Sequence, residues 1–383
     1  MTFFFWLGLI CLGASLAIAL EVAGGIRRMT WLGDIATLTE SPIPRISIIV
    51  PACNEAATIE PALRSLLAQE YANLEIIVVN DRSLDATGAV LARLAGEFPA
   101  LQVLTITELP EGWLGKNHAL QSGAARASGE YLLFTDADVS LEKSTLARAL
   151  QHVRANSLDH LSIFFENVGG SGLLNALFLE IGGGLLLLFK PWLAKDPKSK
   201  RFMGVGAFNL VKAATYREIG GHRKIAMHPI DDVMLGKVIK RQGYRQECLL
   251  GQGFVAVPWY GTVQEFINGL MKNTFAAYHY RLRAAAAGVG AILLLGVLPL
   301  WGLIFAPGPA RLLFGGAVAI RILSFIHGFR EGGISPWYVG WSLLTPYLSI
   351  YITVKSVFLT LRNQGITWRG THYPLEKLKQ YVG

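Results

Sequence analysis

Two carboxylates one residue apart, Asp136 and Asp138, end the apolar run Tyr131-Leu132-Leu133-Phe134. In an extended or bridging backbone, alternate side chains project from the same side. Two hard oxygen ligands at the mouth of a sheet suit Mg²⁺ or Mn²⁺, particularly when phosphates complete the shell. On this stretch alone, an Asp-rich surface turn is the other reading. A second acidic pair, Asp231-Asp232, precedes a helical pattern over 233–242 that Gly243 ends. It reads equally as a helix cap and as the carboxylate of an acid-base step.

The elements that must position these groups follow a regular rhythm. Strands are expected over 46–50, 74–79, 101–106 and 131–134, and helical patterns fall between them, over 58–69, 87–94 and 117–127. That order predicts an α/β fold with a mostly parallel sheet and helices on both faces. Polar residues cluster after three of the strands: Pro51, Asn54 and Glu55, then Asp81 and Asp85, then Asp136 and Asp138. Open α/β sheets bind ligands at that carboxyl edge. The first turn, Pro51-Ala52-Cys53-Asn54-Glu55, lacks the glycine-rich pyrophosphate loop of a dinucleotide fold, and no P-loop is present. Further along, a helix is expected over 141–153 and a strand over 161–165. The segment 202–210 is punctuated by Gly204 and Gly206, where backbone can approach a ligand closely.

Composition adds a membrane. The chain has 383 residues, 52% hydrophobic and only 16% charged, and the apolar excess is clustered. The runs 3–26, 284–305, 312–329 and 334–361 approach the roughly 20 residues needed to cross a bilayer. The first lacks a basic n-region and is followed by Arg27 and Arg28, which favours a retained anchor with the following domain cytoplasmic over a cleaved signal peptide. The run 173–190 either spans or lies along the surface. Surface attachment is expected, because a crossing there would split the soluble domain. Pro336 and Pro346 make the last run re-entrant or interfacial, and Arg321 is expected to face another helix or the headgroups. The formal charge of +8 fits anionic lipid better than nucleic acid, for which no binding motif stands out. Three scattered cysteines show neither metal spacing nor a disulfide framework.

Taken in order, Pro51-Ala52-Cys53-Asn54-Glu55, Asn80-Asp81-Arg82-Ser83-Leu84-Asp85, Gly115-Lys116-Asn117-His118-Ala119-Leu120, Asp136-Ala137-Asp138 and Asp231-Asp232 resemble the motif series of membrane-bound family 2 glycosyltransferases with a GT-A, Rossmann-like fold. The resemblance covers about residues 45 to 280. It implies Asp81 at the donor's base and ribose, with Asp85 supporting that loop, and Lys116 near the base or diphosphate. Asp136 and Asp138 would meet the donor and a Mg²⁺ or Mn²⁺ ion, Asp138 more directly, and Asp232 would be the general base. Glutamate usually stands where Asp231 does, so the choice between the two aspartates is open.

The Gln-x-x-Arg-Trp signature of processive synthases is missing. With 264–276 and the ending Trp368-Arg369-Gly370-Thr371-His372-Tyr373-Pro374-Leu375, the chain looks like non-processive enzymes that glycosylate lipids such as hydroxylated carotenoids, hopanoids or ceramide. The resemblance therefore implies single inverting transfer from a nucleotide sugar to a membrane lipid. A processive synthase and a non-catalytic scaffold are the alternatives. Gly204, Gly206, Phe208, His228 and Lys272 are the acceptor-side candidates; for His228 a local structural hydrogen bond competes with an acceptor contact. The expected organisation is an anchor over 1–28, a linker over 29–44 and a catalytic domain over 45–280 with an interfacial helix near 169–192. Membrane helices over 281–361 and a basic tail over 362–383 follow, all on the cell inner membrane.

Overall fold

The computed structural model describes residues 2–38 and 42–381. Helix α1 (Thr2–Ile26) precedes β1 (Ile46–Ala52), α2 (Ile59–Leu67), β2 (Leu74–Asp81), α3 (Thr87–Glu97), β3 (Leu101–Ile106), α4 (Gly115–Arg126) and β4 (Tyr131–Phe134). Next come the short β5 (Ser140–Leu141), α5 (Thr145–Ala155), β6 (His160–Phe164), the short β7 (Glu166–Asn167), α6 (Gly172–Phe189), β8 (Asn209–Lys212), α7 (Ala213–Glu218), α8 (Asp231–Arg241), β9 (Gln246–Leu250) and β10 (Val255–Val257).

These strands form a seven-stranded sheet of order β3-β2-β1-β4-β8-β6-β9 and a small sheet β5-β10-β7. In the large sheet β1 pairs in parallel with β2 and β4, and β2 with β3, whereas β8 runs antiparallel to both β4 and β6. The sheet is thus mostly parallel, as expected. Alternate residues of β1 serve opposite faces: Ile46, Ile48 and Val50 enter the core under α2, α3 and α5, while Ile49 joins Ala119, Leu120 and Leu235 on the other side.

The expected linker is partly structural. Thr30 accepts a backbone hydrogen bond from Leu250 at the edge of the sheet, and Leu32 is fully buried. Its residues 39–41 lie outside the described residues.

The remainder is mainly helical: α9 (Val263–Ala277), α10 (Leu282–Ile292), α11 (Leu298–Phe305), α12 (Ala310–Glu331), α13 (Thr345–Arg362) and α14 (Leu375–Gln380), with the hairpin β11 (Gly365–Trp368) and β12 (Thr371–Pro374) before the last. A single π turn at Leu293–Val297 joins α10 to α11 just ahead of Pro299, which has no backbone N–H to donate.

Four helices among the described residues are long and apolar enough to cross a membrane: Phe3–Ile26, Gly172–Leu193, Leu282–Phe305 and Ala310–Glu331. The second cannot do so. It lies between β6 and β8, which pair in one sheet, so both of its ends lie on one side. The same constraint applies at the far end. The hairpin β11–β12 returns to the catalytic domain, where Tyr373 Oη accepts from the Gly115 N–H at 3.3 Å. In a bilayer the two straight helices would make the even number of crossings this requires. The segment Pro336–Leu343, bent by 54° against α13, would enter and leave on one side.

Arg321 on α12 forms an ion pair with Glu180 on α6 and donates to the Ser342 carbonyl (3.0 Å) and Thr345 Oγ1 (2.9 Å). Both charged side chains are about 15% exposed, so removing one strands the other, a loss of about 3–5 kcal/mol. R321M should therefore lower the thermal unfolding midpoint of the detergent-solubilised protein, and E180L/R321M should recover most of the loss. Equal midpoints for R321M and the parent would show that this cluster does not hold α6 against α12.

Candidate functional site

Five of the chain's polar clusters meet along one edge of the large sheet. β2 ends on Asp81, whose carboxylate is held by Arg82 at 2.7 and 3.0 Å. Gly115, at the start of α4, packs so closely there that a Cβ would lie 2.4 Å from Asp81 Oδ2. Asn54 and Asp85 turn inward to the loops rather than to a ligand. Asn54 Oδ1 accepts from the Leu84 N–H (2.7 Å), and Asp85 Oδ2 accepts from the Ala56 N–H (3.1 Å). Asp85 Oδ1 also caps the start of α3 through the Thr87 N–H at 2.9 Å. Pro51 stays within β1, paired in register with Val79, and Glu55 forms a salt bridge with Arg369.

The centre is built around Lys116. It lies in the first turn of α4, and its Nζ is 2.7 Å from Asp136 Oδ1 and 3.4 Å from Asp231 Oδ1. Burial alone would depress this ammonium group, but Asp136, Asp231 and Asp232 together hold it well above the usual lysine range. The lysine therefore serves the carboxylates directly, while Asp81 stands at the other end of the site.

Asp232 is fixed from two sides. Its Oδ2 accepts from the Gly206 N–H at 2.8 Å, and its carbonyl accepts from Asn209 Nδ2 at 3.4 Å. Asn209 is in turn held by buried His160. The Gly206 carbonyl accepts from the Asp136 N–H at 3.1 Å, so one peptide segment touches both aspartates.

Only glycine fits there. At Gly204 a Cβ would sit 1.9 Å from the Asp232 carbonyl oxygen, and at Gly206 2.7 Å from Asp136 Oδ2. Burial and the neighbouring Asp231 push the Asp232 carboxyl up to about 6. Burial, Asp136 and Glu55 push Asp138 up to about 7.

Lys116, Asp136, Gly206, Asn209, Asp231 and Asp232 line one small cavity together with His222. The larger surface depression, between α4 and the Gly220-Gly221 turn, contains no carboxylate.

Asp136 and Asp138 fit a divalent ion that shares its ligands with phosphates. Both are oxygen donors, and a positive charge would bring Asp138 back toward the ordinary carboxylate range. No group of three or more His, Cys, Asp or Glu side chains among the described residues gathers to complete a shell.

The structure buries three of the acceptor-side candidates. Phe208 is fully buried in the main core, and Gly204 packs on the Asp232 backbone. His228 is 1% exposed and held below an ordinary imidazole by burial; its Nδ1 accepts from the Ile230 N–H at 3.2 Å. Lys272 does border the site. Its Nζ lies 3.4 Å from the centroid of the Trp368 ring, and burial and Lys116 push it down to about 7 against the pull of Asp231 and Asp136.

Sequence reasoning missed an aromatic group joining α6 to the metal-side carboxylates. Phe165 and Phe178 pack edge-on against Trp259, whose ring lies tilted at 39° to Tyr260, and the charges of Asp138 and Asp136 reach Tyr260. Adjacent Trp259-Tyr260 after a short strand was the available signal.

Residues 47–216 match the model described as Glycosyl transferase family 2. The chain carries a family 2 glycosyltransferase domain. The 4,4'-diaponeurosporenoate glycosyltransferase of Staphylococcus haemolyticus is 29% identical over 234 residues, 56% of each chain. The beta-monoglucosyldiacylglycerol synthase of Synechocystis is 29% identical over 133 residues, 34% of this chain and 27% of that protein. The match thus spans little more than half the length of the first of these relatives and about a quarter of the second. Among solved structures, the mannosyltransferase PcManGT from Pyrobaculum calidifontis, in complex with GDP-Man and Mn²⁺, superposes with a TM-score of 0.60 at 18% identity, covering 94% of this chain and 99% of that one. The fold is GT-A-like.

The Gly206 contacts give a direct test. G206A should keep the fold by circular dichroism but displace Asp136 or Asp232, and a shift approaching 1 Å can lower turnover by about 10²-fold. Sugar transfer at the parent rate would show that this close approach does not position the site.

Proposed function

We propose that this protein transfers one sugar from a nucleotide-sugar donor to a hydroxyl of a membrane lipid, with inversion at the anomeric carbon. The observation that carries the reading is the Lys116-bridged arrangement of Asp136 and Asp231 with Asp232 alongside, at the carboxyl edge of a sheet in a family 2 domain. Asp81 is the group for the donor's base and ribose. Asp138 and Asp136 are the residues for a Mg²⁺ or Mn²⁺ ion, which when bound would neutralise charge developing on the departing diphosphate.

On the acceptor side, Asp232 takes the proton of the attacking hydroxyl. The new bond forms from that oxygen to the anomeric carbon as the bond to the diphosphate breaks, so one displacement needs no enzymatic nucleophile. The Gly206 N–H and the helix start at Asp231 favour the ionised base, while burial and Asp231 oppose it, leaving the group able to exchange protons near neutrality. Lys116 keeps Asp231 and Asp136 compensated while this happens.

Apolar α6 and the Phe165, Phe178, Trp259 and Tyr260 group support a lipid acceptor, whose hydroxyl can reach the carboxylates from the interface while its tail stays in hydrocarbon. The glycosyltransferases of 4,4'-diaponeurosporenoate and of glucosyldiacylglycerol among the relatives support the same class.

Incubating the purified protein with UDP- and GDP-sugars, membrane lipid extract and Mn²⁺ should give a singly glycosylated lipid by mass analysis. A ladder of oligosaccharides would overturn single transfer. D138A should abolish metal-dependent turnover in a folded protein, and chelation of divalent ions should do the same to the parent. D232N should remove the chemical step, whereas loss confined to D231N would reassign the base. Because the base works ionised, the rate should rise as the pH passes upward through about 6 and then level off. A rate already at its plateau two units lower would exclude Asp232 as the titrating base.

A further inference from the structure

The hairpin β11–β12 lies beyond the matched family domain, yet its polar contacts to that domain fall after β1, after β2 and at the head of α4. Arg369 Nη2 is 2.5 Å from Glu55 Oε1 after β1. Arg82 Nη1 donates to Thr371 Oγ1 at 3.5 Å after β2, and Tyr373 Oη accepts from the Gly115 N–H at the head of α4. Trp368 lies under Lys272. Behind these polar contacts Ile366, Tyr373, Leu375 and Leu378 form a buried cluster with Leu114, Met227 and Phe275, so the hairpin is docked by its own core.

Its tip is built against local preference. Arg369 and Gly370 have φ of +47° and +78°, the left-handed pair of a two-residue hairpin turn. Asn or Asp usually fills the first of those positions. An arginine there is strained, and such strain at a site edge points to a side chain required in that place.

The other cations at the site are already committed. Arg82 is bidentate on Asp81, Lys116 bridges two carboxylates and Lys272 lies over an indole. Arg369 remains 38% exposed with a single carboxylate partner, and that partner's charge reaches Asp138.

We propose that Arg369 is a donor-diphosphate ligand: its guanidinium exchanges Glu55 for the phosphates of the nucleotide sugar, and the docked hairpin holds it at that end of the site. This rests on the nucleotide-sugar reading above. A planar guanidinium suits phosphate oxygens, and binding there would also separate Glu55 from a competing positive charge.

The test uses the full-length protein in detergent with Mn²⁺, measuring affinity for UDP and UMP, and for GDP and GMP, by calorimetry. R369A should weaken diphosphate binding tenfold or more and monophosphate binding far less, so that the ratio between them falls, with R369K intermediate and all thermal midpoints close to the parent's. An unchanged diphosphate-to-monophosphate ratio in R369A, whether both affinities hold or both fall together, would overturn the assignment and leave the hairpin a structural brace. A parent protein that binds none of the four nucleotides would overturn the nucleotide-sugar reading itself, and this assignment with it.

Discussion

Three carboxylates cannot share a mostly buried volume unless a positive charge is fixed among them, and here that charge is Lys116. Its ammonium stands between Asp136, delivered by β4, and Asp231, delivered by the start of α8. Asp231, with a side chain only 7% exposed, would be an unpaired buried ion without the lysine, whereas Asp136 is 39% exposed and keeps part of its hydration. The lysine depends in turn on α4 beginning at Gly115, where only a residue without Cβ clears Asp81 and Arg82. Asp81 at one end of the site and the Asp136, Asp231 and Asp232 group at the other are therefore coupled through the first turn of one helix.

Backbone does much of the remaining positioning. Gly206 donates to Asp232 and accepts from the Asp136 amide, and Gly204 and Gly236 let the 203–206 segment lie directly on α8. Gln246 on β9 secures that segment by accepting from the Met203 N–H and donating to the Gly236 carbonyl. A side chain at Gly204 or Gly236 would meet backbone carbonyls that cannot move aside, and one at Gly206 would push the Asp136 carboxylate itself.

What the sequence made legible was the parallel half of the sheet and the edge where it ends. β1, β2 and β4 are apolar runs closed by Asn, Glu or Asp, and the pattern of a strand followed by a polar turn is a local one. β8 and β9 hid for physical reasons. β8 has four residues and follows glycines that read as loop, while β9 begins with Gln246 and Glu247, polar side chains whose buried partners Met203 and His152 lie 43 and 95 positions away in the chain. Phe208 looked available because its glycine neighbours suggested an open segment; in fact that segment is pressed against α8. The hairpin at 365–374 read as a basic tail, although Ile366, Trp368 and Tyr373 around Arg-Gly carried a turn signal. Arg321 was legible in kind, a charge needing a partner, but Glu180, 141 residues away, could not be found from spacing.

The salt bridge from Glu55 to Arg369 joins residues 314 positions apart, with every membrane-type helix after α1 between them. Contacts so distant in sequence form late, since the intervening chain must first be brought to order. During synthesis the large sheet and the Lys116 centre can assemble once β9 has emerged, long before residue 369 exists. The half-built chain would then have its Lys116 carboxylate cluster and lack its hairpin, so the order of the chain makes the Glu55–Arg369 contact a marker that the helical segment has already found its place.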